Sequence, residues 1–516
     1  MIRRRRSLGS AAILLAVAVS LVSVGASPAN AAPEGQITWG VHTTLVPGWF
    51  DPVDLPGVIT PYMLLYALHD AVVKPMPGKT ATPSLAESWT ASPDGLQYEF
   101  LLRKGARFHN GDPVTAEDVK FSFERYRGIS AKLLKEKVLA VEAVDPGRVR
   151  FRLKQPWPDF MMFYAAGTGA SWIVPKKYVE KVGEEGFRKA PVGAGPYRFV
   201  SLSPGVEIVL EAFDGYWRKQ PNVKRLVFRV IPDESTRLAA LKRGEVDIAY
   251  AFIGELAKEL QRTSGVTLKP TVIHSTHFAY FADQWDTKSP WHDKRVRLAA
   301  NLAVDRPALN QAMSLGFSKI TGSIIPSTFE FYWQPPVHPY DAAKAKQRLA
   351  EAGYPNGFDG GEYSCDLVPS ATAEAIVTYL KAVGISLKLR PLERAAFFKA
   401  FAEKKLRDVV HVFGGVFGNA ATRLETFVVS GGTYAYGGSP DLDGLFREQA
   451  AELDRAKREA TLHRMQQLVH ERAMFLPIWE LAFLNGVSGR VEEPGLGLIA
   501  GYAYSAPYED LKIRPR

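Results

Sequence analysis

The chain has 516 residues, several times the length of one domain, so two to four domains are expected. Hydrophobic residues make up 46% and charged residues 23%, ordinary proportions that exclude a disordered, collagen-like or polytopic membrane chain. The net charge is +10, but it falls to +6 without the four arginines of residues 1–31, and no basic stripe of the kind a nucleic-acid surface needs is visible.

Residues 1–31 carry Arg3, Arg4, Arg5 and Arg6, then an apolar run from Ala11 to about Val24, then Ala29-Asn30-Ala31. A basic start, an apolar middle and a small-x-small end read as a cleavable signal peptide, cut after Ala31. The apolar run is short for a bilayer, which needs about 20 residues. No cysteine lies near the cut, so a lipid anchor is not expected and the mature protein should be free in an exported compartment. Arg5-Arg6-Ser7-Leu8 faintly resembles a twin-arginine export signal, but general secretion is favoured. The single cysteine, Cys365, supports neither an internal disulfide nor a thiolate metal site.

Along the mature chain, strand and helix patterns alternate. Leu96, Tyr98, Phe100 and Leu102 share one face of a strand pattern, and Val149, Phe151 and Leu153 share one face of another. Between them Thr115 to Asp118 opens a helix with Val119, Phe123 and Tyr126 on one side. These pieces form a small α+β unit early in the chain. Asp233 caps a helix carrying Leu238 and Leu241 and stopped at Gly244, and residues 246–249 follow as a short strand. Asp341 caps a helix through Ala345, Leu349 and Ala352. Residues 444–474 read as one long helix, with Leu445, Phe446, Leu453, Met465, Leu468 and Val469 as its apolar positions. Turn-rich loops are expected at 104–113, 190–196, 354–361 and 430–440. The alternation argues for an α/β architecture with several lobes.

Nothing in the sequence specifies catalysis. There is no nucleophile elbow, phosphate loop or HExxH motif. Gly193-Ala194-Gly195 is followed by Pro196, which lacks the N–H a phosphate loop uses, so it reads as a turn. His274 and His277 are three apart on a strand pattern and face opposite sides, which points to structural histidines rather than a shared metal. The paired acids Glu117 and Asp118 sit at a helix start, where capping accounts for them.

Six stretches, in order, resemble family 5 of the solute-binding proteins of bacterial ABC importers, the dipeptide, oligopeptide and nickel binders. The most specific is residues 85–126, LAESWTASPDGLQYEFLLRKGARFHNGDPVTAEDVKFSFERY. The others are residues 191–197, 213–217, 231–248, 292–306 and 340–358. The resemblance implies a type II periplasmic binding protein fold of two α/β lobes with a hinge and an extra inserted domain. Carried over here, lobe I is residues 34–66, 195–275 and 478–516, the inserted α+β domain is 67–194, and lobe II is 276–477. It also implies no enzymatic activity and no cofactor. The expected partners are a small-molecule solute and an ABC permease with its ATPase subunits, the protein itself being a monomer that binds no nucleic acid.

Peptide binders resembling this chain place an Asp for the peptide ammonium in a loop after a lobe II strand. The matching stretch here is 411–419, with Val416 at the acid position and Phe417 at the aromatic one, so free-amine peptides are disfavoured. The nearest acids are Asp408 and Glu425. The resemblance makes Gly414, Gly415, Val416 and Phe417 the first ligand-contact candidates. His42, Thr43 and Thr44 follow, at the end of the first strand, then Trp285, Tyr434 and Tyr436 in loops near the cleft. A nickel or metal-chelate carrier is the alternative within the family. An exported hydrolase and a receptor without transport are the alternatives outside it.

Overall fold

Apolar runs at the centre and alternating strands at the edges build one large sheet, and residues 32–514 show it in the computed structural model, which describes all of them except 56–59, 129, 167–168, 368, 414–417 and 500. The segment read as a signal peptide lies outside the described residues. The strand order is Tyr197–Ser203, Glu207–Ala212, Val223–Val230, Glu34–Val41, Ile248–Phe252, Phe475–Ser488, Val266–Phe281, Val409–Phe413, Phe358–Asp366, Ile385–Leu392. Glu34–Val41 is parallel to both Val223–Val230 and Ile248–Phe252, which makes a first parallel group. Phe358–Asp366 is parallel to both Ile385–Leu392 and Val409–Phe413, which makes a second. Parallel strands inside a sheet are covered on both sides, and four of the five residues in Val409–Phe413 are buried; at the sheet edge Ile385–Leu392 instead alternates, with Ser386, Lys388 and Arg390 exposed.

Two long antiparallel strands, Val266–Phe281 and Phe475–Ser488, join the groups. At 16 and 14 residues they are more than twice the usual strand length, so each contributes to both groups. Their ladder is regular from Val266 to Val272 and resumes at Thr276, which leaves residues 273–275 bulged out where the strands pass from one group to the other.

Each group has its own core. Around the first, Trp39, Phe228, Tyr250 and Tyr508 pack with the helix Tyr62–Leu68, all of whose residues are buried. Around the second, one cluster holds Phe278, Phe401, Phe427 and Phe475, and another holds Trp291, Leu349, Tyr363 and Trp479. A separate four-stranded antiparallel sheet has the order Ala86–Ala91, Gln97–Leu102, Arg148–Leu153, Val138–Asp145 and its own cluster of Phe100, Phe123, Phe151 and Tyr164.

The local signals act as their chemistry dictates. Tyr98, Phe100 and Leu102 are buried, as are Val149, Phe151 and Leu153. Thr115 and Asp118 form a reciprocal capping box on the helix Ala116–Arg125. Asp233 and Asp341 accept N–H groups at the starts of Glu234–Lys242 and Ala342–Glu351. Glycine is required at 193 and 195 by close approach: a Cβ there would lie 1.9 Å from the Leu68 carbonyl oxygen and 2.6 Å from that of Ala67. The Tyr216 hydroxyl and the Trp217 Nε1–H both donate to the buried Asp70, at 3.1 and 2.6 Å, so the 213–217 stretch holds the fold together.

Three expectations change. Residues 444–474 are not one helix but parts of two, Pro440–Ala451 and Arg455–Glu471. Asp454 breaks the run because its carboxylate accepts the Ala456 and Lys457 N–H groups and starts a new helix. Leu453, counted as an apolar position, is 55% exposed. The loop at 354–361 is cut short by the strand Phe358–Asp366, whose Gly360 carbonyl accepts the Trp291 Nε1–H at 3.0 Å. The strand expected at 246–249 is Ile248–Phe252, because the Asp247 side chain accepts the Thr38 N–H instead and pairs with Arg490.

Candidate functional site

Strand direction locates the site. Ile248–Phe252 runs antiparallel to Phe475–Ser488, from Val487 at its start to Leu484 at its end. Val409–Phe413 runs antiparallel to Val266–Phe281, from Phe281 at its start to His277 at its end. Leu484 is itself opposite Pro270, and His277 is opposite Trp479. The carboxyl ends of the two parallel groups therefore point at each other along the joining strands. Five to seven residues of strand separate them, about 16–23 Å. Crevices outside the carboxyl ends of parallel strands are the general ligand sites of α/β sheets.

The first edge is held by its own backbone. Arg237 is buried and donates to the carbonyls of Tyr250, Ile231, Pro232 and Ala251, at 2.7–2.9 Å. One guanidinium thus ties together the ends of Val223–Val230 and Ile248–Phe252, and burial pulls its pKa below the usual arginine range. Ala251 has φ +57°, a left-handed conformation rare outside glycine, and the Asn485 side chain accepts its N–H. His42 packs against Tyr504, with ring centroids 4.8 Å apart. Burial, with Arg237 nearby, lowers its pKa to about 4, so it is neutral at pH 7. Thr43 is half-buried and Thr44 exposed at the same edge.

The second edge gathers different chemistry. Arg394 begins the helix Arg394–Ala402 just after the strand Ile385–Leu392. Its Nη1 donates to the buried Asp366, at the end of Phe358–Asp366, at 2.9 Å. The guanidinium also lies over the Phe413 ring, at the end of Val409–Phe413, at 4.8 Å, and over Phe398 at 5.3 Å. All three strand ends therefore converge on one arginine. Behind Phe413, His277 stacks on that ring at 5.6 Å. His277 Nδ1 lies 3.5 Å from His411 Nε2, and His411 Nδ1 lies 3.0 Å from the Tyr363 hydroxyl. Burial lowers His277 to about 4 and His411 well below its ordinary value, so both rings are neutral. Among the described residues no group of three or more His, Cys, Asp or Glu could hold a metal ion.

A contact joins the four-stranded sheet's unit to the second group. Asp159 precedes Phe160 and Tyr164 of the four-stranded sheet's core, and it accepts from Arg458 Nη2 at 2.6 Å and from Asn419 Nδ2 at 2.5 Å. Asn419 is also the N-cap of the helix Ala420–Phe427. Burial, with Asp159 nearby, pushes the Glu425 carboxyl on that helix up.

Of the positions singled out from the sequence, Gly414, Gly415, Val416 and Phe417 lie outside the described residues. Trp285, Tyr434 and Tyr436 pack together in the aromatic cluster of the second group. The Trp285 Nε1–H and the Tyr436 N–H both donate to the Tyr280 hydroxyl, at 3.3 and 2.9 Å, and Tyr434 stacks on Phe401 at 4.6 Å. Asp408 lies at the amino end of Val409–Phe413, where its carboxylate accepts the Glu362 N–H. Sequence reasoning missed Arg394, Asp366, Asp159 and the His277–His411 pair. Each owes its place to partners 28 to 299 residues away, and no local pattern marks them.

The profile of the family described as bacterial extracellular solute-binding proteins, family 5 Middle, matches residues 80–435, more than half of the chain. The chain is 29% identical over 451 residues to heme-binding protein A of Haemophilus influenzae, covering 80% of this chain and 81% of that one. It is 28% identical over 484 residues to probable di/tripeptide-binding protein 5 of Pseudomonas aeruginosa, covering 87% and 91%. The crystal structure of the ABC transporter substrate binding protein CtaP of Listeria monocytogenes matches with a TM-score of 0.80 at 22% identity, over 93% of this chain and 99% of that one, a likeness of fold.

Proposed function

The chain belongs to family 5 of the bacterial extracellular solute-binding proteins, and from that premise we propose how it works as the solute-capturing component of an ABC importer. Members of this family bind peptides and related solutes and hand them to a membrane permease; they are not enzymes. The observation that carries the reading here is the pair of parallel-strand edges that face each other across two joining strands. A solute held between them contacts both lobes, so binding favours closure about the bulged residues 273–275. Lobe I would comprise residues 34–66, 195–275 and 478–516, the inserted domain 67–194 and lobe II 276–477. Export through a signal peptide cut after Ala31, a free periplasmic monomer and delivery to a permease with its ATPase subunits complete the proposal.

Residues 414–417 come next in sequence after the strand that ends at Phe413, and the family resemblance makes them the first solute contacts. With Val416 at the acid position, a solute without a free ammonium at that point suits them, and Phe417 would pack on an apolar portion. The test is native mass spectrometry of protein purified from its own periplasm, joined to uptake of the identified solute in a strain lacking the gene. A bound small organic solute, whose uptake falls in the deletion strain, is the expected result. A protein that carries no solute, with uptake unchanged across a solute panel, would refute the reading. Thermal stabilisation by Ni2+ or a metal chelate alone would turn it to the metal-carrier alternative.

A further inference from the structure

We propose that the second edge of the cleft recognises a carboxylate on a solute whose remainder is apolar, with Arg394 as the group that takes the charge. The proposal rests on the solute-binding reading above and specifies its ligand class.

The first support is the contrast among arginines. Arg237, Arg297 and Arg306 are buried, and backbone carbonyls, joined for Arg306 by the Asn301 side-chain oxygen, fill their donors. Arg394 is 54% exposed at its side chain. Its Nη1 is taken by Asp366, and among the described residues its other N–H groups have no acceptor. Asp366 fixes one corner of the guanidinium, and Phe398 and Phe413 support its plane. A fork held in this way has little freedom left to lose on meeting a carboxylate, whose two oxygens match two parallel N–H groups.

The second support is that acids close to the two edges are occupied. Asp233 caps the helix Glu234–Lys242, and the Glu234 carboxylate accepts the Ile253 N–H. The Glu393 carboxylate accepts the Ala396 N–H. The buried His277 and His411 are uncharged at neutral pH.

The third support is apolar. Val46 and Ile253 follow strands of the first group, Leu367 follows a strand of the second, and Val272 lies at the start of the bulge in the joining strand. All four are exposed, Ile253 by 68%. Isolated exposed apolar residues are ordinary. Ile253 and Leu367 directly follow strand ends that point into the gap, with Val272 on the joining strand between them, and they supply surface that an apolar solute body would bury.

The test is calorimetry on the mature protein with N-acetyl-Leu-Phe and its carboxamide, probes that differ only in the carboxylate. The acid should bind at least tenfold tighter than the amide. Arg394→Gln should equalise them, and Arg394→Lys should retain part of the preference, because a lysine charge still pairs with Asp366. Ile253→Ser should weaken acid and amide alike. Circular dichroism melting confirms that each variant is folded, and Arg394→Lys keeps the test decisive where Arg394→Gln does not fold. Equal binding of acid and amide by the parent overturns the inference, as does full preference in a folded Arg394→Gln or Arg394→Lys protein. So does failure of the parent to bind either probe. In that last case a solute found by mass spectrometry, with its uptake lost in the deletion strain, leaves the transport reading standing while the ligand class falls.

Discussion

At the edge formed by Glu34–Val41, Val223–Val230 and Ile248–Phe252, the arginine faces inward and its donors close on four carbonyls. At the opposite edge the arginine lies on two phenylalanine rings, and among the described residues only Asp366 accepts from it. Both edges end parallel strands that point at each other along the joining strands, but the first arginine is filled by backbone carbonyls while the second is held by one carboxylate and two rings. A binding protein of two lobes needs this division. A rigid wall lets the other wall discriminate, because ligand affinity is then not consumed in ordering both.

Breaking the rigid wall should have the largest effect. Arg237→Met removes the donor to four carbonyls and should destabilise the protein by at least about 3 kcal/mol, read as a fall in the urea midpoint at unchanged slope. An unchanged midpoint would mean that the tie between the two strand ends carries no stability.

The next effect is pH-dependent and belongs to the second wall. Burial holds folded His277 at a pKa of about 4, whereas an unfolded histidine titrates near 6.5. Between those values the unfolded chain binds more protons, so stability rises with pH. The contribution is fully present above about pH 6.5 and is lost as pH falls toward 4, by about 3 kcal/mol for this one group. His42 and His338, also lowered to about 4 by burial, add to the same slope. Urea midpoints at pH 7.5 and 4.5 should therefore differ less in His277→Gln than in the parent. Equal differences would show that His277 does not titrate with unfolding.

Asp159→Ala should act on the contact between the four-stranded sheet's unit and the second group. It removes the acceptor of Arg458 and Asn419 and should cost about 2 kcal/mol of stability. Small-angle scattering of the ligand-free protein should show a larger radius of gyration than the parent. A radius identical to the parent's would mean that other contacts hold the two together.

The smallest effect on the fold is expected from Ile253→Ser. The side chain is so exposed, at an N-cap position where serine is favoured, that stability should fall by no more than about 0.5 kcal/mol, measured by thermal melting. A large loss would mean that Ile253 packs in the protein rather than waiting for a solute.

Legibility in the sequence followed the range of the interaction. Thr115 with Asp118, Asp233, and the alternating Tyr98, Phe100 and Leu102 act through neighbours a few residues away, and each does what its spacing dictates. The helix expected over 444–474 failed locally too, since Leu453 fitted the period while Asp454 supplied a cap that outweighed it. The candidate site was legible only as far as the family resemblance could carry it. That resemblance placed the 414–417 loop and residues 42–44 near the solute, and it gave no signal for Arg394, whose platform is Asp366 at 28 residues and Phe413 at 19.

The sequence by itself determined the types of the elements it marked, several of their boundaries and the family, because capping, periodicity and ordered motifs are properties of contiguous residues. The tertiary structure alone decided which way the strand ends face and which arginine is left open. Strand direction on a shared ladder and the filling of a guanidinium by carbonyls depend on segments far apart in the chain. No local pattern records whether a charged side chain will find backbone acceptors, as Arg237 does, or an aromatic shelf beside a crevice, as Arg394 does.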